Sequence, residues 1–297
     1  MTIEKEIKSV LNKSKRRDPW FLDEYTVNPY SGCSFNCLYC YIRGSKYGTH
    51  MERKLVVKTN AVEVLDRQLG NRAKKGQYGI IVLASATDPY LQVEKEHELT
   101  KQMLEVILKH RFPVHLITKS DLVVRDFDLL KQIDEKAILP IDLQGKLEHG
   151  TLLTFSFSTI DDKVGKIFEP GAILPSIRQQ TVKKALAANL YTGISMMPLL
   201  PYISDTTESL NEMFQTFSLL GVKYLMPATL TLFGSDQADG RTLMFKAIEK
   251  HYPELLPKYH KFFGNSQQMP AYYQQAFYRK MKEMGEQYGI PNRIVST

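Results

Sequence analysis

Between Tyr25 and about Leu232, short apolar runs of strand length alternate with longer amphipathic stretches, and that alternation leaves the chain few ways to fold. Strand-like runs occupy residues 25–30, 79–85, 114–118, 152–158, 192–197 and 224–229. Helix-like stretches lie between them at 61–72, 96–110, 125–135, 175–188 and 207–219. Within 96–110, Leu99, Met103, Val106, Ile107 and His110 recur at the three- and four-residue spacing of one buried helix face. A helix after each strand carries the chain back to begin the next, so successive strands run parallel and the class is α/β. Six strands with five intervening helices suit an incomplete barrel. In parallel α/β folds, functional groups collect at the carboxyl ends of the strands.

The flanks read differently. Residues 1–20 form a charged arm, and Pro19-Trp20 marks where the compact body, 21–232, begins. From 233 to 297 the character becomes that of a C-terminal helical cap, with Phe262-Phe263-Gly264-Asn265, Pro270-Ala271-Tyr272-Tyr273 and a final helix-like 274–288. A hydrophobic share of 43% supports a sizeable core. No run of about twenty apolar residues is present, so no membrane span is expected. The N-terminus carries acids and lacks the apolar segment of a secretory signal. The net charge of +7 suits an anionic partner such as nucleic acid, or simply solvated faces with a basic excess. The basic residues are dispersed, from Lys13, Lys15, Arg16 and Arg17 to Arg279, Lys280 and Lys282.

All three cysteines fall in one octapeptide, Cys33-Ser34-Phe35-Asn36-Cys37-Leu38-Tyr39-Cys40, directly after the first strand. A closed zinc site wants four ligands. An iron–sulfur cube held by three thiolates keeps one iron open for chemistry. The alternatives are zinc completed by a histidine such as His50, and cysteines that merely pack. Clustered cysteines without an export signal point to a reducing cytoplasm rather than a disulfide framework.

Polar residues mark the other strand ends. Ser85-Ala86-Thr87-Asp88-Pro89-Tyr90 closes the second, where Asp88 can accept from an ammonium group or close a turn. Lys119 ends the third, placed to pair with a carboxylate or phosphate or to stand in solvent. On the fourth, Thr154, Ser156 and Ser158 share one face and the phenylalanines the other. With the phenylalanines against the helices, the hydroxyls point inward. Glu169-Pro170-Gly171 reads as a loop, and Arg178 either reaches a carboxylate or faces outward. Apolar residues 193–198 suit an adenine or plain core.

The stretch from Tyr30 to Tyr41 resembles the signature of the radical S-adenosylmethionine (SAM) enzymes. Cys37-Leu38-Tyr39-Cys40-Tyr41 and Ser85-Ala86-Thr87-Asp88 are similar to the spore photoproduct lyase branch, from about Tyr25 through Thr229. The resemblance implies a partial (β/α)6 TIM-type barrel with a C-terminal helical extension, a [4Fe-4S] cluster on Cys33, Cys37 and Cys40, and SAM on the open iron. It further implies that Thr87, Asp88 and Lys119 contact the methionyl end of SAM and that Ser156 or Ser158 holds its ribose. Tyr39 would lie beside the cluster, and Tyr41 would match the tyrosine that relays a hydrogen atom. An electron donor such as flavodoxin or ferredoxin is implied as partner. One departure is chemical: Ser85 stands where the lyase carries an extra cysteine, and a serine O–H is too strong to donate hydrogen efficiently to a carbon radical.

The expected activity is reductive cleavage of SAM to a 5′-deoxyadenosyl radical that abstracts hydrogen from a substrate. That substrate is a damaged or modified nucleic acid, or alternatively a protein side chain or small metabolite. A non-catalytic iron–sulfur or zinc protein that binds nucleic acid is the other class.

Overall fold

The computed structural model describes residues 2–45, 55–83 and 86–295; His50 and Ser85 lie outside them. The chain runs through β1 (Thr2–Lys5), β2 (Asn12–Lys13), β3 (Tyr25–Val27), β4 (Tyr30–Ser31), β5 (Leu55–Lys58), α1 (Ala61–Ala73) and β6 (Ile81–Leu83). It continues with α2 (Glu94–His97), α3 (Leu99–Lys109), β7 (Val114–Thr118), α4 (Phe127–Lys136), β8 (Thr151–Ser156), α5 (Asp162–Phe168) and α6 (Pro175–Ala187). The last elements are β9 (Thr192–Met196), α7 (Thr207–Leu220), β10 (Leu225–Pro227), α8 (Gly240–His251), α9 (Leu256–Phe263) and α10 (Ala271–Tyr288).

Six parallel strands form the main sheet in the order β3, β6, β7, β8, β9, β10, with β2 antiparallel on β3 at one edge. Among the described residues the sheet does not close, because β2 and β10 remain its two edges. This is the incomplete barrel that the alternation suits and the open, partial TIM-type arrangement that the resemblance implies. A small second sheet, β1-β5-β4, stands beside it. The first thirteen residues thus contribute one strand to each sheet.

Two elements depart from the periodicity. The run 25–30 splits because Pro29 has no N–H to donate, and Tyr30 leaves the main sheet to pair with Val57 of β5. The stretch 96–110 breaks at Glu98, which takes a left-handed φ of +48°. The buried Glu94 carboxylate makes this break tolerable. It accepts the backbone N–H of Thr100 at 2.9 Å and of Lys101 at 3.3 Å, capping the open first turn of α3.

Alternation along each strand separates two interiors. Outward residues such as Leu116, Leu153, Phe155 and Ile194 pack with the helices in the largest core, where Phe157 meets Phe217 edge to face. Inward residues Leu152, Tyr224 and Met226 join Leu22, Ile80 and Ile294 to fill the barrel floor, with Trp20 and Phe21 against them. Gly193 is obligatory here, since a Cβ would fall 2.2 Å from the Tyr224 ring. α10 packs on α7, its Phe277, Met281 and Met284 entering the main core, and the following Pro291 accepts from Leu225 N–H at 2.9 Å. α8 and α9 instead pack around Tyr39 and Phe168, on the cysteine side.

A buried hydrogen-bond chain crosses the floor. Tyr224 Oη lies 2.7 Å from Thr154 Oγ1, which lies 2.7 Å from His115 Nε2, and His115 Nδ1 lies 2.9 Å from the Phe21 carbonyl. The carbonyl can only accept, so Nδ1 carries the proton, Thr154 donates to Nε2 and Tyr224 donates to Thr154. Burial pulls the His115 pKa from 6.5 down to about 4, keeping the ring neutral. In that window the unfolded chain binds a proton the folded chain refuses. Stability present above pH 6.5 is therefore lost as pH falls toward 4, by about 3 kcal/mol. Wild type should lose about that much more than His115→Gln between pH 7 and pH 4 in denaturant unfolding; parallel pH slopes would refute the assignment.

Candidate functional site

The cysteine loop leaves β4 through Gly32 and Asn36, both at positive φ (+85° and +54°), and is clamped from two sides. On one, Gly171 N–H donates to the Phe35 carbonyl and Leu38 N–H to the Phe168 carbonyl, each at 2.9 Å. The approach is so close that a Cβ on Gly171 would sit 2.2 Å from the Ser34 carbonyl oxygen. On the other, the buried Arg43 guanidinium donates to the Cys37 carbonyl at 3.2 Å, to the Ala238 carbonyl at 3.0 Å and to the Asn36 side chain.

So held, Cys33, Cys37 and Cys40 are free, half-buried thiols that all open on one cavity of about 530 Å3 at the carboxyl ends of the strands. Thr87, Asp88, Lys119 and Ser156 line the same cavity, as does Tyr41, which is 52% exposed. Burial pushes the Cys33 thiol up, and also that of Cys37, where the Lys119 charge opposes it. Three soft thiols opening on one cavity from one loop are a donor set that fits a cluster with one iron per sulfur. Among the described residues, no three Cys, His, Asp or Glu side chains are arranged to hold a single metal ion.

Asp88 closes its own turn as well as lining the cavity. Its carboxylate accepts from Tyr90 N–H at 2.9 Å, Thr118 Oγ1 at 2.8 Å and Lys119 N–H at 2.8 Å. Burial raises its pKa, and these hydrogen bonds oppose the rise. Thr87 Oγ1 donates to the Gly32 carbonyl and so ties the end of β6 to the cysteine loop. Lys119 lies 5.9 Å from the Tyr39 ring centroid. Burial alone would lower its pKa, but the charges of Cys37 and Glu169 reverse that and keep it a cation.

The two candidate serines part company. Ser156 opens on the cavity, whereas Ser158 donates its hydroxyl to Glu169 Oε1 at 2.8 Å and does not line the cavity. Glu169 also accepts from Tyr39 Oη and pairs with Arg178, which donates to the Ser156 carbonyl at 2.6 Å. Arg178 is fully buried, so the outward alternative is excluded. Burial pushes the Glu169 carboxyl up, but Arg178, Lys119 and the two hydroxyls outweigh it and hold the pKa below normal.

The sequence marked Glu169 only as part of a loop, yet a signal for this pair existed. Arg178, Thr181, Val182 and Ala185 are all buried on one stripe of α6, and an arginine on such a stripe requires a buried partner. Arg178→Met should therefore destabilise the fold by about 3–5 kcal/mol by stranding the Glu169 charge. Adding Glu169→Gln should restore part of that loss in thermal unfolding, and additive losses would refute the coupling.

A family model described as the radical SAM superfamily matches residues 27–214, from the end of β3 into α7. The chain belongs to the radical SAM superfamily. Two structures of spore photoproduct lyase give TM-scores of 0.69 and 0.68 at 17% and 16% identity, each covering 98% of this chain and 81% of the other. The second is complexed with dinucleoside spore photoproduct. At that identity the likeness is one of fold. Uncharacterised proteins of Mycobacterium bovis and Mycobacterium tuberculosis are 25% identical over 272 residues, covering 90% of this chain and 75% of theirs. A radical SAM Nalpha-GlyT isomerase of Pseudomonas phage M6 is 22% identical over 256 residues, covering 85% of this chain and 46% of its own length. Among the described residues, no helix is long and apolar enough to cross a membrane.

Proposed function

We propose that this superfamily member is an enzyme that holds a [4Fe-4S] cluster on Cys33, Cys37 and Cys40 and uses SAM to abstract hydrogen from a substrate in the cytoplasm. The observation that carries this reading is the opening of all three free thiols, with Thr87, Asp88, Lys119 and Ser156, on one strand-end cavity. Bound there, the cluster and SAM would supply reductive cleavage to methionine and a 5′-deoxyadenosyl radical.

The chain's own residues divide the remaining work. Lys119, kept cationic, suits the SAM carboxylate, and Asp88, whose carboxylate is already oriented by three hydrogen bonds, suits its ammonium. Thr87 fixes the cysteine loop at their side. Ser156 is the hydroxyl free to meet the ribose, because that of Ser158 is spent on Glu169. Tyr39, anchored by Glu169, is the wall beside the cluster. Tyr41, on the cavity yet half exposed, is the candidate for relaying a hydrogen atom. A flavodoxin or ferredoxin is the proposed electron donor.

The leading substrate class is a damaged or modified nucleic acid, supported by the net charge of +7 and by the dinucleoside photoproduct held in a protein of the same fold. The wall of the cavity favours a second reading. Asp18, Asp23 and Asp88 line it against Lys119, a balance better suited to a protein side chain or small metabolite than to a phosphate.

Under anaerobic reconstitution, Cys37→Ala should lose both the cluster and 5′-deoxyadenosine formation with dithionite; full cleavage by that variant would sink the assignment. Ser156→Ala should weaken SAM binding by about three- to tenfold in equilibrium dialysis while Ser158→Ala leaves it near wild type. The reverse order would move the ribose to Ser158.

A further inference from the structure

The wall behind the cysteine loop is close-packed. α8 begins against it, and a methyl on Gly240 would come within 3.3 Å of the Cys40 carbonyl oxygen and 3.5 Å of that of Leu38. Arg43 bridges the same wall, its guanidinium joining the Cys37 carbonyl at 3.2 Å to the Ala238 carbonyl at 3.0 Å. On the outer side of this layer, Arg241, Phe245, Lys246, Glu249 and His260 line a surface groove of about 540 Å3 between α8 and α9. Among the described residues, none lines both this groove and the cysteine cavity. The start of α8 thus lies directly against the backbone of Leu38 and Cys40, and the groove gives a substrate no open path to the cysteine cavity.

The charge of this face is uneven. From Gly240 to Gly264 the chain carries Arg241, Lys246, Lys250, Lys258 and Lys261 against Glu249 and Glu254. Lys246 and Lys250 are exposed one turn apart, and Phe245 between Arg241 and His260 gives the groove an apolar floor. Asp236 and Asp239 precede α8, and the Asp239 carboxylate is engaged by the Asp236 N–H at 2.9 Å.

We propose that the outer face of the α8–α9 pair is the docking surface for a small acidic protein that carries single electrons on an exposed flavin or iron–sulfur group. The proposal rests on the radical SAM reading of the cysteine site. Positive charge around an apolar floor steers and seats such a carrier, and the contacts of Gly240 and Arg43 with the Cys37 and Cys40 backbone give its electron a route through packed and hydrogen-bonded atoms. In the step, one electron leaves the carrier and reduces the cluster by one. A flavin carrier passes from the anionic hydroquinone to the neutral semiquinone, so no proton moves and no bond forms or breaks. A nucleic acid would gain nothing here, since the groove does not communicate with the cavity where chemistry is proposed.

Flavodoxin is the probe. Titrated against the cluster-free protein, it should bind with an affinity that falls as salt rises, and Lys246→Glu/Lys250→Glu should weaken that binding about tenfold and flatten the salt dependence. In the reconstituted protein the same variant should accept electrons from flavodoxin hydroquinone about tenfold more slowly, while dithionite drives 5′-deoxyadenosine formation equally in both. Unchanged flavodoxin affinity and rate in the charge-reversed variant, with dithionite-driven cleavage intact, would overturn the docking surface alone. Salt-dependent binding of duplex DNA to this face, with flavodoxin indifferent to it, would do the same. A wild type that holds no cluster, or never cleaves SAM with dithionite, would overturn the cysteine-site reading and the docking surface together.

Discussion

A carboxylate and a guanidinium, both stripped of water, stand at the centre of this protein's active end. Glu169 and Arg178 come from the loop after α5 and from α6, and each is nearly or fully buried. Desolvating two such charges is costly, and hydrogen bonds to both offset it, although the buried Arg178 Nε has no partner among the described residues. Tyr39 and Ser158 donate to the acid, and Arg178 donates to the Ser156 carbonyl. Those partners are the middle of the cysteine motif and the end of β8. The pair therefore joins the loop that carries the thiols to the strand that faces them. Leu38 and Gly171 add backbone bonds along the same seam. A loop of eight residues could not hold three thiols toward one cavity by its own turns.

This arrangement also explains why the few polar groups of a largely apolar cavity are ordered. Asp88 is oriented by the ends of β6 and β7, and Lys119 sits between Cys37 and Glu169 with its charge preserved. Groups already fixed in place pay no reorganisation when a charged ligand arrives, which is the usual advantage of an enclosed polar site. The barrel supplies the rigidity: inward and outward residues alternate strictly along β8, so the side facing the helices can be apolar while the other carries hydroxyls.

Much of this was legible in the chain. Each of the six parallel strands overlaps a run read from apolar patterning, because a parallel sheet flanked by helices forces that pattern on the sequence. The two faces of residues 154–158 were legible from alternation alone. What escaped was decided by partners distant in sequence. Pro29 marks the break after 25–28, but nothing nearby says that Tyr30 goes on to pair with Val57, and apolar periodicity does not register that Glu94 caps a second helix and breaks 96–110 in two. The contrast between Ser156 and Ser158 is of the same kind, since both lie on the inward face and only the position of Glu169 separates them. Periodicity reports which way a side chain points, and it is silent on what waits there.

The hydrogen-bond chain on the barrel floor reaches from Phe21 through His115 and Thr154 to Tyr224, and Trp20 touches Tyr278 nearby. Its members are spread over most of the chain. Loop-closure entropy makes such long-range contacts costly until the segments between them have ordered. The helix-facing core can assemble from neighbouring βα units, whereas the floor must wait for both ends of the polypeptide. A ribosome releasing this protein N-terminus first thus holds Phe21 in reserve until Tyr224 emerges. Until then the vessel that is to enclose a reactive radical has walls and no base.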